Sequence, residues 1–153
     1  MFGPQAQLLA GRNILLCETG DPSLVEEAAA LFRESSASLV RVPLEEHDEL
    51  MGYILGLSHL TSLAFAATLA RSGRAFADLK RSGSTTFAAQ AQVTDAVVRE
   101  NQDLYYEIQA DNRATPRVLD LLRRALEDYA RAIEGRDREA FKRLMERSRD
   151  YFA

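Results

Sequence analysis

From Leu50 to Ala70 the chain runs for 21 residues without a single Asp, Glu, Lys or Arg, and any fold open to it must find a place for that segment. The acids Glu45, Glu46 and Asp48 precede it, where the positive end of a helix dipole favours them, and Ser72-Gly73 follows as a stop. The spacing therefore predicts one helix from about Glu45 to Arg71. A helix that is apolar nearly all round has to be covered on several sides, by other helices of the chain or by a partner subunit. Its length would also suit a bilayer. Against a membrane span stand four polar side chains at its centre, in Ser58-His59-Leu60-Thr61-Ser62, and the dilution by Gly52 and Gly56.

Gly52 and Gly56 form a small-x-x-x-small step, and each costs about 1 kcal/mol relative to alanine inside a helix. Close approach of another helix is the usual compensation, either within the chain or across a dimer.

Beyond Ser72-Gly73 only helical periods are found. After a short segment around Arg74 to Lys80, Ser84 is placed to cap a helix reaching about Glu100, and Asn101 and Asp103 to start the next. Thr115-Pro116 reads as a cap for a long helix. Val118, Leu121, Leu122, Ala125, Leu126, Tyr129 and Ile133 recur along it at three- and four-residue steps, and Gly135 is its stop. Asp137 is expected to cap a last helix carrying Phe141, Leu144 and Met145.

The first forty residues differ in kind. Asn13 to Cys17 is a short apolar run bounded by Gly11 and Gly20, suited to a buried strand. Asp21-Pro22 offers an N-cap with proline at the first helical position, for a helix to about Glu34. The run Ala37 to Val42 reads as a second strand. Two strands and one helix cannot hide both faces of a sheet, so this β-α-β unit is expected to be part of something larger. The fold expected is mainly α, with a truncated β-α-β unit over residues 1–44 and an all-helical association domain over residues 45–153.

A net charge of -4 argues against nucleic-acid or anionic-membrane partners, because phosphates call for a basic face. The basic residues between Arg117 and Arg143 are interleaved with acids, the pattern of a solvated helix surface. Cys17 is the one cysteine, so neither a disulfide framework nor a thiolate cluster is expected. No basic-then-apolar secretory signal opens the chain, and a cytoplasmic location fits best. His47 and His59 are the two histidines. On one helix they stand about 18 Å apart and about 120° around the axis, too far to share a metal ion. His59 lies in the most apolar stretch, where an imidazole needs a hydrogen-bond partner. It is either a satisfied core histidine or a residue at the rim of a polar cavity, whereas His47, among acids, reads as a surface or capping residue. No dinucleotide fingerprint, phosphate-cradling loop or nucleophile elbow is present.

Five stretches carry a family resemblance. Met1-Phe2-Gly3-Pro4 looks like the residues that follow the catalytic histidine-proline pair of the prephenate dehydrogenases, and Gly11 to Cys17 looks like the next strand of their nucleotide-binding domain. His47-Asp48 with Tyr53-Ile54-Leu55-Gly56-Leu57-Ser58-His59 is similar to the opening of that family's dimerisation helix. Asn101 to Gln109, and Ile133 to Phe141 with Tyr151-Phe152, resemble two of its later segments.

The resemblance implies a helical domain that intertwines with a second copy to form a homodimer. It also implies a neighbouring Rossmann-type domain that holds NAD or NADP, and oxidative decarboxylation of prephenate or arogenate in tyrosine biosynthesis. A histidine matching His59 lies near the family's substrate pocket; His59 and His47 are thus the candidate substrate-binding residues, for a small carboxylate. The family's catalytic histidine and cofactor fingerprint would fall before Met1. The chain by itself is therefore expected to be inactive, with no cofactor or metal of its own. Where the family commonly places a carboxylate-binding arginine, this chain has Ala88. The alternative reading is a non-catalytic helical homodimer with an interaction or regulatory role.

Overall fold

The structure is a computed structural model that describes residues 8–18 and 20–153; the Met1-Phe2-Gly3-Pro4 stretch lies outside the described residues. The chain divides into two compact units, residues 1–51 and 52–153.

In the first unit, strand β1 (Asn13–Glu18), helix α1 (Pro22–Leu31), strand β2 (Ser38–Pro43) and helix α2 (Leu44–Met51) follow one another. The two strands pair in parallel, with Asn13 opposite Ser38 and Glu18 opposite Pro43. This is the expected β-α-β unit. Asp21 caps α1 by accepting from the Ser23 amide at 2.9 Å and its hydroxyl at 2.7 Å, and Pro22 opens the helix. Helix α1 stops three residues short of Glu34, because the Ser35 hydroxyl donates to the Phe32 carbonyl and Ser36 adopts a left-handed φ of 54°. Leu16, Val25 and Ala29 make a small core, flanked by Ile14, Ala28 and Leu39. Cys17 is half-buried, not buried, because alternate strand residues face opposite sides and Leu16 takes the inner one.

The second unit is all helical: α3 (Ser58–Arg71), α4 (Phe76–Ser82), α5 (Thr85–Val98), α6 (Gln102–Ala110), α7 (Thr115–Glu134) and α8 (Arg138–Tyr151). Helix α3 is preceded by a π-helical turn, Gly52–Leu57, which the sequence pattern does not announce. The continuous helical run Leu44–Arg71 is long and apolar enough to cross a membrane by length and composition. Helix α3 packs on α5, α7 on α8, and both α6 and α7 meet the π turn. Ring pairs mark these seams: Phe65 with Phe87 at 6.0 Å between α3 and α5, and Tyr129 edge-on to Phe141 at 5.5 Å between α7 and α8.

Ser84, Asn101 and Asp137 cap their helices as expected, each accepting from the amide three residues on. Thr115 does not. Asn112 Oδ1 takes the Ala114 amide at 2.7 Å, Ala114 becomes the N-cap, and Thr115 is drawn into the first turn with its hydroxyl buried and unpartnered. A residue with helical backbone angles cannot swing its hydroxyl back over the free amides of its own first turn. At the other end Gly135 is the C-cap, but the left-handed position falls on Arg136, with φ 52°. The Asp137 amide donates to the Ala132 carbonyl and the Arg136 amide to that of Ile133, completing a Schellman closure.

Val118 and Ala132, with Met51 just before it in the other unit, are buried; they are the only buried apolar side chains among the described residues of this unit. Leu121, Leu126 and Ile133, from the predicted apolar face of α7, are 47%, 60% and 61% exposed. Leu63, Phe76, Val93, Leu104 and Met145 are also open to solvent. A single copy of these helices leaves much of its apolar surface uncovered.

Candidate functional site

The π turn is where Ser58, Thr61 and Gln109 bond the backbone of the second unit. A π turn carries one extra residue per turn, and such insertions recur at functional sites. Gly52 begins it: a Cβ there would lie 2.9 Å from the Ala114 Cβ and 3.3 Å from Val118 Cγ2. The close crossing that Gly52 and Gly56 announce thus lies within the chain at Gly52, against the start of α7.

Five successive carbonyls, from Ile54 to Ser58, lie within hydrogen-bond distance of a side-chain donor, each hydroxyl sharing its one proton between two of them. The Ser58 hydroxyl donates to Ile54 at 2.7 Å and to Leu55 at 3.1 Å. The Thr61 hydroxyl donates to Leu57 and Ser58, both at 3.0 Å. Gln109 Nε2, from α6, donates to Gly56 at 3.2 Å. The polar residues of Ser58-His59-Leu60-Thr61-Ser62 are therefore put to use: two serve the helix backbone and Ser62 is buried.

His59 stands in the first turn of α3 and stacks on Tyr105 of α6, with ring centroids 4.3 Å apart and planes 25° from parallel. The ring is half-buried, but its Nδ1 is enclosed and has no partner, as is Gln109 Oε1. Burial pushes the His59 pKa below the ordinary histidine value, so the imidazole is neutral and can offer one donor and one acceptor. Burial, followed by the negative charge of Glu100, raises the Tyr105 phenol, which stays protonated. The chemistry here is that of a neutral imidazole and an amide oxygen, each with one hydrogen-bonding atom enclosed and unpartnered.

His47 belongs to the other unit, where its Nδ1 lies 3.2 Å from Asp48 Oδ1. Ala88 sits on the exposed side of α5, in a groove of about 490 Å³ that also holds Lys80, Gln92, Asp95 and Arg99. Arg99 is ion-paired with Asp95 at 2.8 Å. The hydrogen bond from the Arg99 side chain, then the charges of Arg99 and Lys80, hold Asp95 below the usual carboxylate range. Sequence reasoning singled out His59 but missed Tyr105 and Gln109 as its neighbours. Their four-residue spacing, which sets both on one face of α6, was the available signal.

Residues 43–147 match the sequence profile described as the prephenate dehydrogenase dimerization domain. The chain belongs to the prephenate dehydrogenase dimerisation-domain family. Among curated proteins, a probable arogenate/prephenate dehydrogenase of Methanocaldococcus jannaschii is 21% identical over 99% of this chain and 35% of its own length. A T-protein of Haemophilus influenzae is 22% identical over 99% of the chain and 40% of that protein. A 4-amino-4-deoxyprephenate dehydrogenase of Streptomyces pristinaespiralis is 27% identical over 94% of the chain and 48% of that protein. The chain thus spans about a third to a half of the length of these relatives. The dimerisation-domain match takes in the π turn, His59, Tyr105, Gln109 and α8 as far as Arg147.

Proposed function

We propose that this chain is the dimerisation and partial substrate-site domain of a prephenate- or arogenate-dehydrogenase-like oxidoreductase of tyrosine biosynthesis. The carrying observation is the uncovered apolar surface of α3 and α7, in a unit whose buried apolar side chains, among the described residues, are Val118 and Ala132. A second copy is the partner that would cover it, in keeping with the family's description as a dimerization domain.

On this reading residues 1–44 are the tail of a nucleotide-binding domain and residues 45–153 the helical domain. His59, with Tyr105 behind it, contacts a small carboxylate-bearing substrate, and His47 is the second candidate contact. NAD or NADP belongs to the nucleotide-binding domain of the longer protein. The residues here do not fit its phosphates: the Asp21 carboxylate already occupies the N-terminus of α1, where a pyrophosphate would otherwise sit. On this reading the protein is cytoplasmic, as its single cysteine suggests, and the net charge of -4 speaks against nucleic-acid or anionic-membrane partners.

Light scattering on the purified chain tests the reading. A dimer is expected at tens of micromolar protomer; a monomer there would overturn the intertwined-helix model.

A further inference from the structure

The five carbonyls from Ile54 to Ser58 are not all served alike. Ser58 and Thr61 reach their carbonyls from three or four residues away on the same helix, so those bonds form wherever the helix forms. The bond to Gly56 comes from Gln109, 53 residues on in the sequence. It is a tertiary side-chain bond to this turn, made from a different helix.

Its environment makes glutamine a costly choice. Donating through Nε2 leaves Oε1 buried and unpartnered, a burden that an apolar side chain at the same place would avoid. Something in the geometry must offset it. Gly56 lies three residues before His59 on one helix, and Gln109 lies four after Tyr105 on the other, so the bond and the ring stack are neighbours along one seam. If the turn relaxed to ordinary α-helix, the inserted residue would be absorbed and His59 would rotate about the axis by roughly a quarter turn or more, off the Tyr105 ring.

We propose that Gln109 is a positioning residue: by latching the Gly56 carbonyl it keeps the π turn in place and so holds the His59 ring against Tyr105, with Nδ1 directed into the seam. The proposal deepens the reading of His59 as a substrate contact, but its test reads the chain without ligand, so the two stand or fall separately.

The test is proton and nitrogen NMR on the whole chain, in which His47 and His59 give the only imidazole signals; a His47→Gln variant assigns them. In the parent, the His59 ring protons are expected upfield of those of His47 through the Tyr105 ring current, and the Gln109 side-chain amide is expected to exchange slowly with solvent. Tyr105→Leu should abolish the upfield displacement and leave the slow amide. Gln109→Met, similar in length and without a donor, should also abolish the displacement while the Tyr129 and Phe141 signals between α7 and α8 keep their positions. A purely structural role would lower stability and leave the His59 shift where it was in the folded fraction, and that result overturns the proposal. Should Gln109→Met fail to fold, the parent decides. A slow Gln109 amide together with an upfield His59 ring supports the latch; an amide exchanging at the rate of an exposed glutamine refutes it.

Discussion

Replacing Gly52 with alanine sets helix propensity against packing. Propensity alone favours the change by about 1 kcal/mol. Against it, the new Cβ would meet the Ala114 Cβ at 2.9 Å and Val118 Cγ2 at 3.3 Å. The Ala114 Cβ is fixed to the backbone and has no rotamer to retreat into. Either the π turn or the start of α7 must then move, and overpacking of this kind typically costs about 1–3 kcal/mol. The net expectation is a loss of about 1 kcal/mol, which for a chain of this length lowers the melting temperature by about 2–4 °C. Ala114→Gly supplies the counterpart. It clears the contact at the N-cap of α7, a position where glycine is better tolerated than alanine. The double variant should recover the loss, giving a favourable coupling of about 1–3 kcal/mol. Urea unfolding followed by far-UV circular dichroism, at one fixed protomer concentration, measures all four corners of the cycle. If Gly52→Ala proves as stable as the parent and the coupling falls below about 0.5 kcal/mol, the tight crossing is wrong.

Arg136→Gly should stabilise the chain by up to about 1 kcal/mol in the same assay, since it relieves a left-handed φ of 52° at a Schellman position; no gain would discredit that closure. His59 is held neutral by burial, its folded pKa below the unfolded value of about 6.5, so its contribution to stability is complete above that pH and is lost as pH falls through the folded pKa. His59→Gln should flatten the part of the stability-pH curve that falls on going below about pH 6.5; an unchanged slope would count against an enclosed imidazole. Leu126→Asp, at a side chain 60% exposed in one copy, should leave the helical signal intact and weaken dimerisation at least about tenfold by light scattering over a concentration series. If Leu121→Asp, Leu126→Asp and Ile133→Asp all leave the dimer untouched, the α7 stripe is not the interface.

Much of this architecture is decided within a few residues and was legible for that reason. Asp21, Ser84, Asn101 and Asp137 cap helices through amides two or three residues away, and the parallel pairing of β1 with β2 follows from the crossover helix between them. The apolar step along α7 foretold the helix. Thr115 shows where such reading fails: the N-cap falls on Ala114, whose amide is held by the Asn112 carboxamide, and Thr115 enters the first turn.

The sequence by itself determined where the helices lie, that the long apolar helix would need neighbours, and that His59 would stand out within it. Only the tertiary structure decided that this helix is interrupted by a π turn. Local bonding favours the α-helix over the π turn, so a cause from outside the segment is needed, and here the turn coincides with contacts from α6 and α7, the Gln109 bond to Gly56 and the crossing of Gly52 on Ala114. Those contacts join residues more than fifty positions apart. No window along the chain contains them, and they place His59 on Tyr105.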